Sequence, residues 1–214
     1  MLYLGNCTAW RPRCKIITRG EDNFFKILES DGASGMKENV FVRNKKHNAF
    51  SWQSLGDTKK GRGDLGEEMP VMVYRLMQYT MLDVLSKAHG ETQANDYFRQ
   101  AGFLAGSEFA RNALDLKTDF DTFIASLQKI LKEYKIGILR MEVFDSDSGN
   151  LMLTVGQDLD CSGLPVTNET VCIYDEGFIA GILQAYSGKK YVVREVDCWA
   201  SGDRVCRFEG VVVD

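Results

Sequence analysis

Cys161, Cys172, Glu195, Cys198 and Cys206 are the residues of this 214-residue chain whose types and spacing could do chemistry together. Thiolates are soft ligands that attract zinc, and a carboxylate can complete a tetrahedral set at about 2.0–2.3 Å from the ion. Cys198 and Cys206 flank a turn containing Gly202, so chain reversal can bring their sulfurs together. Cys172 stands just ahead of a helical run and approaches from a different element. A plainer alternative stays open on spacing alone, because free cysteines are often buried as small hydrophobes. Six cysteines in the whole chain are too few for a disulfide-stapled scaffold, and in a reducing compartment their spacing suggests metal more than crosslinks.

The remaining short motifs carry less. Gly61-Arg-Gly-Asp-Leu-Gly66 matches a dinucleotide fingerprint, but no apolar strand precedes it and Glu67 and Glu68 would repel a pyrophosphate. His47 and His89 are distant in sequence from every cysteine, which leaves a Cys–His nucleophile pair without support.

The elements that must position the cysteines can be read from periodicity. A helix is expected from Pro70 to about Ala88, with Val73, Leu76, Met77, Thr80, Met81, Val84 and Leu85 recurring at three- and four-residue steps and Gly90 ending it. Further helices are expected over about Thr92–Leu114, Phe120–Tyr134 and Tyr174–Tyr186. Strand-like runs cover Ile136–Phe144 and Leu151–Val155 around a turn-rich Asp145–Asn150, then Tyr191–Val196 and Val205–Val213. Three helices, a hairpin, a helix and a second hairpin make an α+β fold of helices packed on an antiparallel sheet. Ala101-Gly-Phe-Leu-Ala-Gly106 and Glu176-Gly-Phe-Ile-Ala-Gly181 echo each other with glycines four apart, as expected for two helices in close approach.

Charge divides the chain near Gly63. Residues 1–64 hold 12 basic and 7 acidic side chains, whereas 65–214 hold 14 and 23. A basic N-terminal arm (1–64) and an acidic domain (65–214) are therefore expected, and the acidic body argues against nucleic-acid binding. No apolar run approaches the roughly 18 residues of a membrane span, and a cytoplasmic location is expected.

With these residues assembled, the chain resembles the 4-vinyl reductase domain family. The resemblance rests on Cys172, Tyr174-Asp-Glu-Gly-Phe-Ile-Ala-Gly181, Glu195-Val-Asp-Cys198 and Gly202-Asp-Arg-Val-Cys206-Arg-Phe208. The family includes the sensory domains of aromatic-responsive bacterial activators and is related in fold to Golgi transport-particle subunits and haem nitric-oxide sensors. In its phenol-sensing members a zinc is held by Cys, then Glu 23 residues on, Cys 3 further and Cys 8 further, intervals that Cys172, Glu195, Cys198 and Cys206 keep. The resemblance thus implies zinc on these four, with Cys161 in reserve should the site be a four-thiolate one backed by Glu195. Those sensors grip the phenolic hydroxyl with a His and a Trp upstream of the first zinc cysteine. Between Pro70 and Cys172 this chain has His89 alone and no Trp, so a phenol grip of that kind is not expected.

The function expected from these readings is a zinc-stabilised module that binds a small hydrophobic or aromatic molecule and lacks its own output domain. A reductase of vinyl-type groups, or a protein-interaction adaptor, is the alternative. No flavin or nucleotide signature marks an electron source, and four protein ligands leave zinc no open position, which favours binding over catalysis. The expected pocket lies near Phe123, Leu151, Leu153, Ile182, Tyr186 and Val193, since Leu151 and Leu153 share a strand face and Ile182 and Tyr186 a helix face. A homodimer is expected as well, because Val71, Met72, Tyr74, Met77, Tyr79 and Met81 spread the apolar arc of the first helix beyond one stripe.

Overall fold

The computed structural model describes residues 49–213. Residues 1–48 of the expected basic arm, His47 among them, lie outside the described residues. The chain enters through a 3-10 turn (Trp52–Leu55) and a short helix α1 (Thr58–Gly61), then runs α2 (Val71–His89), α3 (Glu91–Ala113), α4 (Phe120–Glu133), β1 (Ile138–Phe144), β2 (Leu151–Gly156), α5 (Ile173–Ser187), β3 (Lys190–Asp197) and β4 (Cys206–Val213). The four strands form one antiparallel sheet in the order β1-β2-β4-β3. The expected α+β architecture of helices on an antiparallel sheet is what the chain adopts.

Local chemistry sets the element ends. Pro70, extended at ψ 139°, precedes α2 and has no N–H to leave orphaned. Asp119 caps α4 by accepting the Thr122 N–H at 3.0 Å. At the β1–β2 connection the Asp145 carboxylate accepts the Asp147 N–H and the Ser148 hydroxyl, folding the chain back to Asn150.

One face of the sheet is dry. Leu139, Leu151, Leu153, Val155, Val193, Cys206 and Phe208 point inward and join Phe123, Ile124, Leu127 and Leu131 of α4 and Ile179, Ile182 and Leu183 of α5 in a single core. Exposed Glu142, Val192, Arg194, Glu209 and Val211 alternate with them on the other face. Trp52, within the segment that charge assigned to the arm, meets Phe109 edge-on at 6.5 Å, and its backbone N–H donates to Glu108.

Helices α3 and α5 pack with backbone against backbone. A Cβ on Gly102 or Gly106 would strike the carbonyls of Tyr174 and Phe178, and one on Gly177 or Gly181 would strike those of Arg99 and Phe103. The two glycine pairs interlock from opposite sides, as the sequence echo implies. Glu176, buried beside this seam, pairs with Arg99 at 2.8 Å and Arg194 at 3.1 Å and accepts the Glu195 N–H at 3.0 Å, tying α3, α5 and β3 together.

Helix α2 departs from the expected pattern. Its apolar stripe faces outward, with Leu76 57% and Met77 59% exposed and Val73, Met81 and Val84 alike, whereas Gln78 is its buried residue. The underside of α2 is polar because it grips a loop. Tyr74 and Gln78 donate to the Asp160 carboxylate at 2.8 and 2.6 Å, Tyr79 donates to the Asp160 carbonyl, and Arg75 donates to the carbonyls of Leu159 and Ser162. Among the described residues no helix is long and apolar enough to cross a membrane.

Candidate metal centre and adjoining cavity

Four elements converge on one point beneath the sheet. The loop after β2 delivers Cys161, the residue before α5 delivers Cys172, the end of β3 delivers Cys198 and the start of β4 delivers Cys206; all four are buried. Each turn is built for the purpose. Asp158 Oδ1 accepts the Asp160 and Cys161 N–H groups, curling the first loop around its own carboxylate. Ser201 Oγ accepts the Cys198 N–H at 2.9 Å and donates to the Cys198 carbonyl at 2.8 Å, while Gly202 takes the φ of +108° that the turn into β4 requires.

The Sγ atoms of Cys161, Cys172, Cys198 and Cys206 all lie within 4.8 Å of one another. Cys172 is 3.8 Å from both Cys198 and Cys206, and Cys161 is 3.1 Å from Cys206. Thiolates at about 2.3 Å from a tetrahedral zinc stand roughly 3.8 Å apart, so the donor set fits such an ion in type and number, and in spacing around Cys172, while Cys161 stands closer to Cys206 than two ligands of one zinc do. Protons shared with the Cys161, Cys198 and Cys206 sulfurs hold the Cys172 thiol well above its ordinary range, and hydrogen bonds from Cys161, Cys172 and Cys206 hold Cys198 below it. Shared protons of this kind are what a divalent cation displaces.

Glu195 stands beside the four sulfurs. Its Oε2 accepts the Cys172 N–H at 2.9 Å, and its Oε1 is buried without a hydrogen-bond partner among the described residues. Burial pushes this carboxyl up to about 8, the Cys172 amide holding it back in part. The structure therefore gathers Cys161 with Cys172, Cys198 and Cys206, and sets Glu195 against the backbone of one of them.

An apolar cavity adjoins the cluster, with a free volume of about 30 Å³. Leu127 and Leu131 of α4, Leu139 of β1, Leu153 and Val155 of β2, and Phe178, Ile179 and Ile182 of α5 form its wall. Leu153 and Ile182 of the sequence-predicted pocket line it. Phe123 and Tyr186 instead stack on each other at 3.9 Å, and Leu151 and Val193 are buried in the core away from the lining. His89 meets Tyr97 edge-on at 5.7 Å at the far end of α2.

Sequence reasoning missed three acids here. Asp158 and Asp175 close the polar end of the cavity, and Asp160 is the anchor for α2. Burial, followed by the nearby Asp160 charge, pushes Asp158 up to about 7 and Asp175 well above the carboxylate range. A signal existed. Asp158-Leu-Asp160-Cys161 puts two acids directly before a metal-type cysteine, and Asp175 interrupts an apolar helix start.

Residues 151–212 match the model of the 4-vinyl reductase domain family. An uncharacterized protein of Methanocaldococcus jannaschii is 28% identical over 151 residues, covering 71% of this chain and 83% of its own. The crystal structure of a vinyl-4-reductase family protein from that organism superposes at a TM-score of 0.50 with 18% identity, over 70% of this chain and 85% of the other. The phenol-responsive sensory domain of the transcription activator PoxR, solved with phenol, superposes at 0.54 with 15% identity, over 69% of this chain and 76% of that domain. A trafficking protein particle complex subunit 3 from Naegleria fowleri, covalently bound to palmitic acid, does so at 0.50 with 12% identity, over 68% and 98%. At such identities these structures speak for the fold, and β2, α5, β3 and all four clustered cysteines fall within the matched segment: residues 151–212 of this chain are similar to the 4-vinyl reductase domain.

Proposed function

We propose that this chain is a zinc-stabilised sensory module that takes up a small hydrophobic or aromatic molecule between α4, α5 and the β1–β2 hairpin. The observation that carries the reading is the apolar cavity between α4, α5 and the sheet, whose polar end is Asp158 and Asp175 beside Cys172. The fold shared with a phenol-responsive sensory domain supports it. Zinc is held by Cys161, Cys172, Cys198 and Cys206, with Glu195 fixing the Cys172 backbone; four thiolates leave no open coordination position, so the ion serves the fold and not a reaction. Persistent free thiolates belong to a reducing compartment such as the cytoplasm.

Leu153→Trp tests the ligand site, because an indole at Leu153 fills the cavity from the β2 side. Wild-type protein is expected to gain thermal stability with millimolar 4-ethylphenol, indole or 1-hexanol, and Leu153→Trp is expected to lose that gain while retaining zinc. Failure of all three compounds to stabilise the wild-type protein would favour an adaptor instead.

The outward stripe of α2 supports a second copy of this chain as partner. Leu76, Met77, Met81 and Val84 present an apolar face of the kind that homodimers bury. Light scattering should report about twice the 24.1 kDa chain mass. Met77→Glu together with Leu76→Glu should restore the single-chain value, and a wild-type protein already at the single-chain mass at micromolar concentration would refute the dimer.

A further inference from the structure

Strand β3 is an edge of the sheet, and among the described residues no strand pairs with its outer side. Hydrogen bonds assign that side residue by residue. The Glu195 N–H leaves the sheet to reach Glu176 Oε1 at 3.0 Å, and on β4 the Val212 N–H, opposite Tyr191, turns away from β3 to Asn150 Oδ1. Main-chain groups alternate sides along a strand, so Tyr191, Val193 and Glu195 direct theirs outward. Glu176 takes the Glu195 N–H, and the Arg194 guanidinium donates to the Val193 carbonyl at 3.3 Å. The N–H groups of Tyr191 and Val193 and the Tyr191 carbonyl are left for a partner. Beside them runs a groove with a free volume of about 260 Å³, which Gln100 and Phe103 of α3 and Gly177 and Ala180 of α5 also line.

Charge around this edge runs against the rest of the molecule. Residues 65–214 carry 14 basic and 23 acidic side chains, yet Lys190 and Arg194 project from the outer face of β3, and Arg194 stays 54% exposed while holding Glu176. The acids of the groove, Asp96 and Glu176, are both paired with Arg99. Cations on an edge strand keep like edges apart, and a second copy laid antiparallel along β3 would bring Arg194 near its own counterpart. An acidic strand meets the opposite condition, because opposite charges on neighbouring strands attract. We propose that β3 takes up an extended acidic segment of another protein as an added strand. Its acidic side chains lie over Lys190 and Arg194, and the apolar side chains that alternate with them enter the groove beside Phe103 and Ala180. Main-chain pairing supplies the attachment in this mode of recognition, and the alternation supplies the selectivity. The surface is separate from the cavity, so the proposal does not depend on the ligand reading.

The probe is acetyl-Glu-Val-Glu-Val-Glu-Val-Glu-amide, titrated to millimolar concentration into the full chain and followed by NMR. The amide signals of Tyr191 and Val193 should shift and their hydrogen exchange should slow. Two variants of the peptide, one with Lys for every Glu and one with every valine N-methylated, should bind about tenfold or more weakly. The first meets like charge, and the second lacks the N–H groups that would face β3. Lys190→Glu, a change at an exposed side chain, should weaken the acidic peptide and strengthen the lysine one. Acidic and lysine peptides that bind the wild-type chain within about threefold of each other would overturn the charge selection, and equal binding of the N-methylated peptide would overturn strand addition. An acidic peptide that leaves Tyr191 and Val193 unmoved overturns the proposal outright. Protection of those two amides that grows with protein concentration in the absence of peptide would overturn it in favour of a second copy. The comparisons among peptides need no variant of the protein, so misfolding of Lys190→Glu leaves the test decisive.

Discussion

Cys206→Ala is expected to purify almost free of zinc and to melt far below the wild-type protein, which itself should carry one zinc per chain. Cys206 starts β4, the strand that pairs with both β2 and β3, so its sulfur joins the metal site to the middle of the sheet. Unfolded chains have no such site, and binding free energy of about 10–16 kcal/mol in small zinc-binding peptides becomes folding free energy. Losing even about 4 kcal/mol of it would lower the melting temperature of a domain this size by roughly 8–16 °C. Strong chelation of the wild-type protein should produce the same fall. Cys161→Ala should lose the ion as Cys206→Ala does, whereas Glu195→Gln should keep it, because an amide oxygen can still accept the Cys172 N–H. Metal analysis reads the outcome directly: full zinc in Cys161→Ala, with loss in Glu195→Gln, would assign the fourth position to the carboxylate.

Gly177→Ala should be among the most damaging single-methyl additions in the protein. The new Cβ would meet the Arg99 carbonyl and lie 2.8 Å from the Phe103 amide nitrogen, and both are backbone atoms within a helix that cannot swing aside. Overpacking typically costs about 1–3 kcal/mol, and backbone on the receiving side puts this case at about 3 kcal/mol despite the better helix propensity of alanine. Thermal melts should fall by roughly 6–12 °C. Gly61→Ala provides the control, since nothing lies within 4 Å of its added methyl and its melt should be unchanged. A Gly177→Ala protein that melts with the wild type would mean that α3 and α5 separate easily, contrary to the interlocked seam.

Much of this architecture is legible in the sequence because the signals are local. Helix and strand periods, the glycine echo and the turn residues at Asp145–Asn150 all depend on neighbours within a few residues. The stripe of α2 shows where local reasoning stops. Periodicity identifies its apolar face but carries no information about which face the rest of the chain covers, and the covered one is polar because Asp160 is there to receive Tyr74 and Gln78. The metal centre divides in the same way. Cys198 and Cys206 share one hairpin and are readable as a pair, whereas Cys161, 45 residues before Cys206, is brought in by a loop folded around Asp158. The two cavity carboxylates are unreadable for a further reason: an acid in a loop or at a helix start ordinarily faces water, and only the packing of α4 against the sheet encloses these.

The loop from Asp158 to Ser162 is a shared hinge pin. Within five residues it lends one carboxyl to the cavity, another to the clasp of α2, and a sulfur to the cysteine cluster. None of these three parties can shift the loop without shifting what the other two hold. Thermodynamic reciprocity then applies: an occupant of the cavity that favours one position of the loop changes the grip on α2 by the same factor that α2, once engaged on its outer face, changes the affinity for that occupant. The outward face of α2 is thus joined, through the five residues that its inner face grips, to the cavity wall and to the cysteine cluster.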